Sequence, residues 1–208
     1  MPSSASDLAA KNRPGQSADT RTQILDCAEE RFRAFGYGKT TMAEIAGDAR
    51  MSAANLYRYF DNKQELGVAC AKRCIEEMFQ LLRVTVRQHE TSASKQLVDF
   101  AVQIARYTHE ISVEQPRVNE LVEMITRERH EVVRWRDSRI CALIAEILAR
   151  GNDAGEFDVD DVIATAATIH AALGMFQITL FVGLYPIEEL ELKAKDVAQL
   201  LLRGLLVK

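Results

Sequence analysis

Residues 40–66 read TTMAEIAGDARMSAANLYRYFDNKQEL, and the rest of the chain takes its meaning from them. Thr41 and Glu44 stand at the spacing of a capping box, in which each side chain satisfies the other's backbone N–H. Met42, Ile45, Ala46 and Ala49 follow at helical spacing. Ser52 offers a second N-cap, with Leu56 and Phe60 four residues apart behind it. Asp61 or Asn62 caps a third helix, with Gln64 or Glu65 in the reciprocal position. The middle segment, about 52–59, is too short to be stable as an isolated helix, so its neighbours must hold it.

The side chains that this short helix turns outward are small, hydroxylic, amide or aromatic. A propped helix of that kind is what a helix-turn-helix places in a DNA major groove. Ala53, Ala54 and Asn55, in its first turn beside the Ser52 cap, are the candidates for base edges. Asn55 has the donor and acceptor pair for adenine, and the alanines suit thymine methyls. Arg58 projects outward, while Leu56 and Phe60 face inward.

Composition sets the frame around this stretch. The chain has 208 residues, 48% hydrophobic and 27% charged, with only 4 prolines and 10 glycines. That scarcity of breakers favours long helices over a strand-and-turn fold, so an all-α architecture of about nine helices is expected. The net charge of −4 does not advertise nucleic-acid binding. Residues 1–75, however, hold 11 Lys/Arg against 9 Asp/Glu, whereas residues 76–208 hold 15 against 21. The asymmetry favours DNA at the N-terminal end only mildly, and an acidic remainder discourages it elsewhere.

Cys27, Cys70, Cys74 and Cys141 form no Cys-x-x-Cys pair. Cys70 and Cys74, one helical turn apart, read as packing thiols, with a redox role as the alternative. The N-terminus lacks the apolar core of a signal peptide. Residues 162–184 come nearest to a membrane span but carry His170 and Gln177. A cytoplasmic protein without a membrane partner is expected. No Glu precedes any of the four histidines by three residues, and there is no Gly-rich phosphate loop or nucleophile elbow. The sequence therefore points to no enzyme, catalytic residue, cofactor or metal site.

Along the chain, residues 1–17 read as a disordered arm rich in Ser, Ala, Pro and Gly, in which Lys11 and Arg13 are within reach of a phosphate backbone. Helix 1 is expected over 19–35, ended by Gly36, and helix 4 over about 62–88. Helix 5 is expected over 93–111, helix 6 from Pro116, and helix 7 over 128–150. Helix 8, about 159–182, is apolar on every face and must be covered all round. Helix 9, about 186–206, carries a Leu/Ala/Val stripe. The last two helices are the expected dimer contacts, through Ile169, Leu173, Leu180, Leu190, Val197, Leu201 and Leu205. The alternative is a single bundle that buries both helices. Trp135, flanked by Arg134, Arg136 and Asp137, reads as surface packing.

The layout resembles the TetR family of bacterial transcriptional regulators. The likeness is carried by Ile24–Leu25, Ala28, Phe32 and Gly36–Tyr37, then Thr40–Thr41 and Ile45–Ala46, then Ser52, Leu56–Tyr57 and Tyr59–Phe60, then Lys63 and Leu66. Beyond residue 75 it is architectural. The resemblance implies a helix-turn-helix head over residues 18–64 and a ligand-binding and dimerisation bundle over 65–208. It also implies a homodimer on a near-palindromic double-stranded operator, by default a repressor released by a small-molecule effector. Thr41, Tyr57, Tyr59 and Lys63 match family positions that hold phosphates.

Two positions depart from the family pattern: Arg50 stands in the turn where glycine is usual, and Ala54 stands where glycine is frequent. Arg50 either changes the turn or adds a backbone contact. The effector is expected to be apolar or aromatic, in a pocket between helices 4 to 8. Phe79, Tyr107, Met124, His170, Phe176 and Gln177 are the candidate lining. His170 and Gln177, polar groups in an apolar helix, need partners there or elsewhere. The rival reading is a helical protein-interaction module that has lost specific DNA binding.

Overall fold

The computed structural model describes residues 14–87 and 91–206, with side chains from residue 18 on. The expected arm over 1–17 lies outside the described residues as far as 13; residues 14–17 open the first helix. Among the described residues there are ten α-helices and one 3-10 turn, so the fold is all-α. No described helix is long and apolar enough to cross a membrane. The chain divides into two compact units between Cys70 and Ala71, six residues beyond the expected boundary.

In the first unit, α1 (Pro14–Phe35) buries Ile24, Leu25, Ala28 and Phe32 at helical spacing. Gly36, at φ 87, closes α1 in the left-handed conformation that a side chain disfavours. The capping box opens α2 (Met42–Asp48): Glu44 N–H donates to Thr41 Oγ1 at 3.3 Å, and Thr41 N–H donates to Glu44 Oε2 at 2.9 Å. Met42, Ile45 and Ala46 turn inward. Ser52 caps α3 (Ala53–Leu56), which is four residues long rather than the expected eight. Of the two candidate caps before α4 (Lys63–Val86), Asn62 takes the role, its Oδ1 accepting from Glu65 N–H at 2.9 Å.

The second unit is built around α5 (Ala93–Glu114), which packs against α6 (Val118–Glu128), α7 (His130–Asp153), α9 (Thr179–Val182) and α10 (Ile187–Leu202). Phe100, Ile104, Ile144, Ile147 and Phe176 are fully buried there, joined from α4 by Phe79 and Leu82. The expected helix starting at Pro116 begins at Val118, with Arg117 before it and no side-chain cap. Gly151, just past the expected end of helix 7 at 150, lies inside α7; a Cβ there would stand 2.0 Å from the buried Phe157 ring.

The long helix expected over 159–182 is broken. Asp161 caps α8 (Val162–Ala172), a 3-10 turn covers Gly174–Gln177, and α9 follows after an extended Ile178. In an unbroken helix Leu173, Phe176 and Leu180 would share one face. Here Leu173 and Phe176 are buried while Leu180 is exposed, and Val182 takes the inward place. The break changes the phase of the stripe, and Gly174, a poor helix former, sits at the change.

Candidate nucleic-acid interface

The four residues of α3 cannot hold themselves helical, and the structure shows what holds them. Ser52 Oγ accepts from Asn55 N–H at 3.2 Å, and the Asn55 amide leans on Met51 Sδ at 3.9 Å. Leu56 is fully buried, and Phe60 is buried with the Arg21 guanidinium 4.6 Å from its ring centre. The turn before α3 is closed by Arg50 N–H to Gly47 O at 3.0 Å and Met51 N–H to Ala46 O at 2.9 Å. Gln23 of α1 donates to Ala49 O at 3.2 Å, tying that turn down. Arg31 joins α1 to α2 through Asp48 and, at 3.3 Å, Glu44.

On this support Ser52, Ala54, Tyr57 and Arg58 are exposed, and Ala53, Asn55 and Tyr59 are half-buried. The hydroxyls are less free than the sequence suggests. Thr41 is exposed, but its Oγ1 also donates to Glu44 Oε2 at 2.8 Å. The Thr41 hydroxyl and backbone N–H, with Arg31, hold the Glu44 carboxyl below its usual range. Ser52 is likewise engaged in its own cap.

Lys63, expected at a phosphate, is engaged within the fold. Its ammonium points back at the loop before α2, toward the carbonyls of Tyr37 at 2.9 Å, Thr40 at 3.0 Å and Gly38 at 3.4 Å, and lies 4.5 Å from the Tyr37 ring centre. Three N–H donors thus meet three acceptors inside the fold. This tie joins residues some 25 apart, and no local pattern announces it.

Of the residues expected to line an effector pocket, Phe79, Met124 and Phe176 are buried, and Tyr107, His170 and Gln177 are engaged in hydrogen bonds. Phe79 is buried edge-on to Trp135, with centroids 6.4 Å apart. Tyr107 donates from its hydroxyl to Cys74 O at 2.9 Å, and burial, with Cys74 beside it, pushes its phenol pKa up. Phe176 is fully buried and Met124 nearly so. His170 and Gln177 satisfy each other, Nε2 to Oε1 at 3.2 Å, with Asp137 3.7 Å from the imidazole. A cavity of about 350 Å³ opens elsewhere, between Thr91, Ala93 and Gln96 on one side and Arg150, Asp153 and Glu156 on the other. None of the six expected residues lines it.

Trp135, read from sequence as surface packing, belongs to a half-buried cluster. The Arg139 guanidinium lies 4.2 Å from the Phe79 ring centre and 4.9 Å from that of Trp135. It donates to Glu76, as does Arg83 at 3.1 Å, and these cations, Arg139 foremost, hold the Glu76 carboxyl below its usual range. Trp135 and Glu76 are 59 positions apart in sequence, so only the fold brings them together.

The expected dimer stripe is partly inverted. Ile169, Leu173, Leu190 and Leu205 are buried in the chain's own core, and Val197 and Leu201 pack against it. Of the seven, Leu180 alone is largely exposed. The uncovered apolar side chains are others: Ile163 on α8, Phe181 and Leu184 at α9, and Leu192 and Leu200 on α10. An amphipathic stripe shows that a helix has an apolar face; here that face serves the chain's own core first.

Residues 24–70 match the family described as bacterial regulatory proteins, tetR family, and residues 93–198 match the tetracyclin repressor-like C-terminal domain. The chain is 25% identical over 170 residues to the probable HTH-type transcriptional regulator ArpR of Pseudomonas putida, covering 76% of this chain and 80% of that one. A solved TetR-family transcriptional regulator from Pectobacterium atrosepticum superposes with a TM-score of 0.71 at 21% identity, over 95% of this chain and 99% of that one. SmeT, the repressor of the Stenotrophomonas maltophilia multidrug efflux pump SmeDEF, gives 0.64 at 23% identity, over 91% and 93%, and has also been solved with triclosan. At these identities the structural likenesses speak for the fold.

Proposed function

The chain belongs to the tetR family of bacterial regulatory proteins, a helix-turn-helix DNA-binding transcriptional regulator, and from that premise we propose that it is a homodimeric repressor released from its operator by a small apolar or aromatic molecule. The observation that carries the reading is the braced α3, capped by Ser52, whose exposed Ala54, Tyr57 and Arg58 have no structural work that requires them to face outward together. Residues 18–64 bind DNA, with Ala53, Ala54 and Asn55 at base edges and Tyr57, Tyr59 and Arg58 at phosphates. Residues 65–208 bind effector and partner, and the protein works in the cytoplasm. Two heads related by a dimer axis read a near-palindromic site.

The uncovered apolar side chains support the dimer. Ile163 at 72% exposure, Leu184 at 72% and Leu200 at 65% are large hydrophobics that a second copy would remove from water. SmeT binds triclosan, an aromatic compound, which supports an aromatic effector here. The effector enters by parting Phe79 from Trp135, since that pair already provides aromatic surface under a cation. α4 begins in the first unit and runs on into the second, so it is the element through which such a change is passed on.

A gel-shift assay on the DNA upstream of the chain's own gene, with and without hydrophobic effectors, tests the reading. A shifted band that a compound dissolves supports it. Absence of any shift at low salt leaves the helical interaction module as the function. Light scattering settles the stoichiometry, and a monomer at micromolar concentration overturns the dimer.

A further inference from the structure

Arg50 is the only non-glycine residue with positive φ among the described residues; its φ is 55. The conformation is set by the turn: Arg50 N–H and Met51 N–H reach back to Gly47 and Ala46, closing α2 so that α3 can start at Ser52. Glycine meets that geometry freely, whereas a side chain there is strained. Packing returns nothing for the strain, because the Arg50 side chain is exposed and its guanidinium makes no hydrogen bond, ion pair or ring contact with any described residue. Its nearest acid in sequence, Asp48, is taken by Arg31, and Glu44 by Arg31 and Thr41. The guanidinium is left as an uncompensated cation two residues before the N-cap of the groove-entering helix.

We infer that Arg50 is a phosphate contact of the DNA-binding head, gripping the duplex backbone beside the groove that α3 enters. A strained residue with no internal role marks a functional position, and a guanidinium suits a phosphate by its fork of donors. Base edges are met by Ala53, Ala54 and Asn55, so the contact adds affinity without sequence preference. The inference rests on the reading of the head as a duplex binder.

The test uses the full-length protein and a random-sequence duplex of about 30 base pairs, titrated across a salt series. Arg50→Ala keeps the strain and removes the cation; it should bind about tenfold more weakly, with the salt slope reduced by about 0.9 per subunit. Arg50→Gly should lose the same affinity and slope while Tm rises by about 2–4 °C as the strain is relieved. Arg50→Lys should keep the wild-type slope. Wild-type affinity and slope in both the alanine and glycine variants would overturn the contact and leave the function intact. Failure of the folded wild-type protein to bind the duplex at low salt would overturn both.

Discussion

The two units are held by different kinds of tie. In the first, the caps that open the helices are local, Thr41 with Glu44, Ser52 with Asn55 and Asn62 with Glu65, each three residues apart, and Gln23, Arg31 and Lys63 add ties that reach at most 26 residues. In the second, Ser92 and Asp161 cap their helices locally in the same way, but further ties cross much longer stretches of chain. Glu156 caps the start of α5 through Ala93 and Ser94 N–H, Arg139 reaches Glu76, Ser112 holds Thr179 O at 2.7 Å, and Arg106 pairs with Glu191. A local tie is formed as soon as its helix forms. A distant one exists only after the core has brought its ends together. Both units therefore open helices with short patterns, and the bundle adds ties that only its core can bring together.

That contrast can be broken or sharpened by experiment, and the largest expected effect lies in the bundle. Phe176→Ala, at a fully buried ring, should lower stability by about 3–5 kcal/mol in chemical denaturation. Survival of full stability would mean that the break after α8 is not packed as described.

Glu156→Gln comes next, at about 2 kcal/mol near neutral pH, because one carboxylate serves two backbone donors and a hydroxyl. Burial pushes the Glu156 carboxyl up, but the donors of Ala93 and Ser94 outweigh it and hold it below its ordinary value of 4.5. A depressed folded pKa gives stability that is full above the unfolded value and is lost as pH falls through the folded one. Wild-type protein should weaken below about pH 4.5, and the Gln variant should flatten that decline. An unchanged profile would remove Glu156 from the α5 cap.

Lys63→Met tests one of the long ties in the head. Loss of its contacts to the 37–40 loop should cost about 1.5 kcal/mol and weaken duplex binding while leaving the salt slope unchanged. A reduced slope would return Lys63 to the phosphates. Thr41→Ala should cost about 1 kcal/mol, the ordinary value of an N-cap. A loss larger than that of Glu156→Gln would reverse the contrast between the units.

Much of the head was legible beforehand. The capping box, the Ser52 cap and the stop at Gly36 are consequences of residue type at a fixed offset, and the structure has them where the sequence puts them, whereas the positive φ of Arg50 was left open by the sequence. The choice of Asn62 over Asp61 was open, because both side chains can cap. The tie from Lys63 to the 37–40 loop was not legible, since its acceptors are backbone carbonyls that any residue supplies. In the bundle the helices were mostly placed but their faces were not. Trp135 looked like a surface residue because its neighbours in sequence are charged, yet its partners come from α4 and from the next turn of α7.

By itself the sequence determined the all-α class, the caps that open the helices of the head, and the braced recognition segment. Each follows from interactions among residues within a turn or two of one another. Tertiary structure alone decided where α8 stops, which side of each apolar helix is turned to the core, and that His170 and Gln177 answer each other. Those outcomes depend on volumes filled by residues dozens of positions apart, and a one-dimensional pattern cannot say which of two apolar surfaces will find a partner first.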